Sequence, residues 1–152
     1  MIIAIDPGKQ GAIAYMADGS FPAVEDLRYL GDIPDVCWIR SQVPEQVVQL
    51  VVIEQPIAMP GQSSVATATS FRAYGALLAW ATLAEVPLIT PRPGQWKAKL
   101  GVTKDKGSAV ALAARLFPSA GLYGPRGAAK DGRAEALLLA EYGRRFHLGL
   151  TK

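Results

Sequence analysis

The chain has 152 residues, half of them apolar, a net charge of +3, one cysteine and one histidine. That length supports one compact core and leaves little room for a second module, so the sequence reads as a single domain over 1–152. Cys37 alone excludes an internal disulfide, and with only His147 beside it there is no Cys/His zinc centre. This fits a reducing compartment, the cytoplasm, and Cys37 is expected to be a small core residue. The longest weakly charged stretch, 65–84, carries Arg72 and is rich in Thr, Ser and Gly, so no membrane span is expected. The apolar N-terminus runs straight into Asp-Pro-Gly with no basic region before it, unlike a secretion signal.

In chain order, IIAID, AIAYM and FPAVEDL read as three short strands joined by turns, an antiparallel meander. Residues 28–47 are mixed, with a short helix expected near Val36–Ser41. LVVIEQ at 50–55 is a fourth strand. Ser63 to Val86 reads as a long helix capped by Ser63 or Ser64. PLITPRP is a fifth strand ended by its prolines, followed by a helical turn at Trp96–Leu100, a helix from about Lys106 to Phe117, and a Gly/Pro-rich loop. The last helix is expected from Asp131 to about Phe146 with one apolar and one polar side. Strands in a run, then helix, strand and helices, imply an α/β fold: a mixed sheet flanked by helices.

Acids stand out against this frame. Asp6 and Glu54 each close an apolar strand, each with proline within two residues, and an ionised acid there is costly unless a cation meets it. Neighbouring strands would bring the two ends together. Singly, Asp6 also reads as a turn residue bonding its own loop, and Glu54 as a strand-end acid facing water. Asp131 and Glu135 are four apart and share one helix face. Asp131 also reads as a helix cap, but like charges at this spacing disfavour a helix unless a metal sits between them. Hard ions such as Mg²⁺ and Mn²⁺ take carboxylate oxygens, and two of them about 4 Å apart suit phosphodiester hydrolysis.

Charge is divided unevenly. Residues 1–76 hold four basic against eight acidic side chains, or −4, and residues 77–152 hold twelve against five, or +7. Lys97, Lys99, Lys104, Lys106, Arg126 and Lys130 would supply phosphate contacts if they gather beside the acids, or else form a solvated face. Trp96 reads either as a base-stacking surface or as core. The long helix is apolar around more than half its circumference. Its outer side is expected to pack against a second copy of the chain, or under the C-terminal helices.

The order strand-DPG, strand-IEQP, PLITPRPGQWK, TKDKGSAV and DGRAEALLLA resembles RuvC-type Holliday-junction resolvases of the RNase H-like superfamily, over nearly the whole chain. The resemblance implies an RNase H-like five-stranded mixed sheet and a homodimer that cuts opposed strands of four-way DNA in a bacterial cell or phage-infected host. It implies Mg²⁺ or Mn²⁺, two per site, on Asp6, Glu54, Asp131 and Glu135. Asp6 matches the family's first-strand acid and Glu54 its fourth-strand acid. Glu135 stands where the family usually has Asp, with Asp131 one residue farther from it than usual. Lys104 and Lys106 resemble basic residues near the scissile phosphate, with Lys106 stabilising developing charge. Where relatives often place an aromatic after the fourth-strand acid, this chain has Pro56-Ile57-Ala58-Met59-Pro60. The resemblance therefore implies an endonuclease for branched DNA. An inactive nucleic-acid-binding scaffold and an RNA-directed nuclease are the alternatives.

Overall fold

The computed structural model describes residues 1–149 apart from Met59 and Lys106, so the role expected of Lys106 lies outside the described residues. Five strands form one sheet: β1 (Ile2–Asp6), β2 (Ala12–Met16), β3 (Ala23–Asp26), β6 (Leu50–Ile53) and β7 (Leu88–Ile89), in the order β3-β2-β1-β6-β7. The first three pair antiparallel, while β6 and β7 run parallel to β1. The expected mixed sheet, with its antiparallel meander first, is therefore present. A small hairpin, β4 (Tyr29–Leu30) with β5 (Ile33–Pro34), lies within the segment whose sequence was mixed.

Alternation along β1 explains the two-sided core. Ile2 and Ala4 face one side with Ala12, Ala14, Leu50 and Val52, while Ile3 and Ile5 face the other with Ile13, Val51 and Ile53. Helices cover both faces, which is why β1 and β6 are unbroken apolar runs. On the first face lie α3 (Pro93–Leu100), α4 (Ser108–Leu116) and α5 (Asp131–Phe146); on the second lie α1 (Val36–Gln42) and α2 (Ser64–Leu83). Ser63 caps α2, its Oγ accepting from the Ala66 N–H at 3.1 Å.

Three expectations change. Cys37 is exposed, because the two-turn helix α1 directs Trp38 and Ile39 into the core and leaves Cys37 outward. The last helix is not half polar: residues 136–143 are all buried, Glu141 included, because α5 lies across β1 and β2 and is flanked by α3 and α4. Glu141 survives burial by pairing with Arg144 and Arg145. Finally, the C-terminal helices occupy the opposite face from α2, so they do not cover its outer side. Ala73, Leu77 and Ala81 are buried while Val65, Phe71 and Leu83 remain exposed.

Glycine lets α5 come this close. A Cβ on Gly143 would stand 2.8 Å from Val52 Cγ2, and one on Gly132 would stand 2.1 Å from the carbonyl oxygen of Gln10. The first contact seats the helix on the sheet. The second seats its N-terminal turn against the loop between β1 and β2. Among the described residues, no helix is long and apolar enough to cross a membrane.

Candidate active site

Parallel pairing of β1 with β6 sets Ile5 opposite Ile53, so the residues that follow, Asp6 and Glu54, emerge side by side at the same edge of the sheet. The Glu54 N–H donates to the Ile5 carbonyl at 3.0 Å and holds that register one residue beyond β6. Asp6 is held by its turn: the Gly8 N–H donates to Asp6 Oδ1 at 3.0 Å. The turn is held in its own right by the Tyr29 hydroxyl, which lies 2.8 Å from the Gly8 carbonyl and 3.2 Å from that of Pro7.

The third acid arrives from the far end of the chain. Because Gly132 allows α5 to start against the β1–β2 loop, Glu135, one turn into the helix, reaches the strand ends. Asp6, Glu54 and Glu135 each offer an oxygen within 4.8 Å of the others. Asp131 does not belong to this group. It is exposed at the first residue of α5, one turn before Glu135, and shares with it a cleft of about 580 Å³ lined also by Lys97, Thr103, Lys104 and Ser108.

Three carboxylates at this spacing repel one another by about 4 kcal/mol per pair at an effective dielectric near 20. Burial pushes Asp6 up to about 6, with Glu135 adding to the rise and the Gly8 N–H and Lys97 opposing it. Burial likewise raises Glu54 to about 7, helped by Asp6 and Glu135 and opposed by a hydrogen bond from Trp96 and by Lys97. Fully ionised, the cluster would carry more negative charge than its surroundings stabilise, and the raised values express that excess. An all-oxygen donor set of this kind fits a hard divalent cation rather than a soft one.

Trp96 proves to be core rather than a base-stacking surface. It is fully buried, and its Nε1–H donates to Glu54 Oε1 at 2.7 Å. Its part in the site was missed at the level of sequence, although it lies next to Lys97, a residue already singled out. Lys97 Nζ lies 2.6 Å from Glu135 Oε1, so this lysine meets an acid of the cluster. Lys104 is exposed on the cleft. The other basic residues are placed differently. Lys99 Nζ lies over the rings of Phe146 and Tyr142, beside the C-terminal half of α5. Lys130 pairs with Asp26 at 3.2 Å, and Arg126 is exposed in the loop before α5.

A mixed sheet with three antiparallel strands leading and helices on both faces is the RNase H-like fold that RuvC structures also have. The solved structures that share it include RuvC of Thermus thermophilus in complex with Holliday junction substrate and a second Thermus thermophilus RuvC structure. Each has a TM-score of 0.60 and 18% sequence identity, covering 99% of this chain and 98% of the other. No protein-family model and no curated protein matches the sequence.

Proposed function

We propose that this protein is a divalent-metal-dependent endonuclease that cuts branched DNA, four-way junctions foremost, as a homodimer. The observation that carries the reading is the convergence of Asp6, Glu54 and Glu135, from three distant segments, within 4.8 Å of one another. Support comes from the shared fold with RuvC, one structure of which is a complex with Holliday junction substrate.

In this reading Asp6, Glu54 and Glu135 hold Mg²⁺ or Mn²⁺, and Asp131, which lines a cleft together with Glu135, completes the set for a second ion. When bound, such ions supply positive charge to activate the attacking water and to stabilise the leaving oxygen. The chain's own residues do the rest. The Gly8 N–H donates to Asp6 and the Trp96 indole N–H to Glu54, so each strand-end acid has a donor of its own. Lys97 and Lys104 offer ammonium groups to a phosphate lying in the cleft, which suits the basic C-terminal half of the chain. The uncovered apolar side of α2 supports pairing of two copies, which a junction with two strands to cut requires.

The test is cleavage of a synthetic four-way junction with Mg²⁺ or Mn²⁺, against flap, RNA–DNA hybrid and plain duplex substrates. Asp6→Asn and Glu54→Gln should each lower junction cleavage at least a hundredfold while leaving junction binding in place. Cleavage at the normal rate by either variant would overturn the reading. Salt-sensitive binding with no product at any metal concentration would leave the scaffold alternative standing. A preference for the hybrid would leave the RNA-directed one.

A further inference from the structure

Helix α3 touches two of the three clustered acids with consecutive side chains: Trp96 donates to Glu54 and Lys97 pairs with Glu135. The helix is fixed at both ends. The Arg92 N–H donates to the Gln95 side chain at its start, and Gly101 ends it in the left-handed conformation. It is also tied to the strand end that carries Glu54. The Gln55 N–H donates to the Pro91 carbonyl at 3.0 Å, and Arg92 Nε donates to Gln55 Oε1 at 3.4 Å. Trp96 therefore projects from a helix with little freedom to move relative to Glu54.

The Glu54 backbone is set by the sheet, but its side chain has three rotatable bonds between Cα and the carboxylate. A fully buried indole can settle them. Its Nε1–H has no access to water, and Glu54 Oε1 is its hydrogen-bond partner. An indole nitrogen is a donor only, so it can hold the ionised carboxylate without competing as a metal ligand. One lone pair of Oε1 is committed to Trp96, and the remaining lone pairs of Glu54 stay open to a cation.

We propose that Trp96 is a positioning residue for the metal site, fixing the carboxylate of Glu54 through its indole N–H so that the cluster is preorganised for a divalent ion. The inference rests on the metal-site reading above and adds a determinant of affinity to it. Outer partners of metal-binding carboxylates characteristically govern affinity in this way, because an unheld ligand must be ordered at the moment of binding.

The experiment measures Mn²⁺ binding to the intact protein by electron paramagnetic resonance, alongside the Mn²⁺ dependence of junction cleavage. Two replacements are compared at position 96: Trp96→Phe, and site-specific β-(3-benzothienyl)alanine, which keeps the bicyclic shape and puts sulfur in place of N–H. Both should raise the Mn²⁺ concentration for half-saturation by about tenfold. The benzothienyl protein should keep a wild-type melting temperature in the absence of metal, separating loss of the donor from loss of packing. Binding within twofold of wild type in the benzothienyl protein would overturn the positioning role while leaving the metal site in place. A wild-type protein that binds no Mn²⁺ would overturn the metal site and this role together.

Discussion

Asp6 and Glu54 show how a residue can be placed against its own solvation. Each follows an apolar strand, so its backbone position is dictated by burial of the residues before it, yet the carboxylate is carried into a crowded, partly dry edge. Both have folded-state pKa values above their ordinary range, about 6 and about 7, with burial as the leading cause. The folded protein therefore holds protons that the unfolded chain releases. The stability this contributes is complete below about pH 4 and is lost as pH rises through 6 and 7. A shift of about two units in either group corresponds to roughly 3 kcal/mol. In EDTA, urea unfolding should show wild-type stability falling relative to an Asp6→Asn, Glu54→Gln double variant between pH 4.5 and 7.5. Added Mg²⁺ at pH 7.5 should restore it, since a ligand that binds only the folded state stabilises by mass action. A wild-type curve parallel to that of the double variant would mean that the two acids are not strained by their placement.

At the scale of elements, the site depends on where α5 begins. Glu135 reaches the strand ends because the helix starts in contact with the β1–β2 loop, and that contact exists because residue 132 has no side chain. Gly132→Ala would set a methyl 2.1 Å from the Gln10 carbonyl oxygen, a backbone atom with little room to yield. Overpacking of this kind costs about 1–3 kcal/mol. The variant should be destabilised by that amount in denaturant titration. It should also lose junction cleavage more than tenfold, as Glu135 is carried away from Asp6 and Glu54. Destabilisation with full cleavage would show that the helix start tolerates displacement. The glycine in DGRAEALLLA has no sequence signal of its own, because close approach between a helix and a loop leaves no periodicity to read.

For the molecule as a whole, the division of labour follows the two faces of the sheet. One face carries α3, α4 and α5, and with them the cleft and its lysines; the other carries α1 and α2. Along α2 only Ala73, Leu77 and Ala81 are buried, one residue per turn, although the helix is apolar over a much wider arc. Leu83 is 85% exposed and Val65 74%, so a charge at either position should leave the isolated fold within about 0.5 kcal/mol of wild type. If α2 joins two copies, sedimentation velocity should give a dimer for the wild type and a monomer for Leu83→Glu or Val65→Glu. A wild-type monomer at every concentration would remove the homodimer from the proposal.

Sequence alone determined the five strands of a mixed sheet with its antiparallel meander first, the long capped helix, and a set of four acids of which three meet. Strand period, turn residues and the cost of an acid at the end of an apolar run are local properties, legible wherever they occur. Only the tertiary structure decided that Asp131 stands outside the three-acid group, that Lys99 lies against the far half of α5, that Cys37 faces solvent and that Trp96 holds Glu54. Each of these turns on which of several faces a side chain takes once its element is packed. Packing is fixed by contacts between segments far apart in the chain, and no local pattern records them.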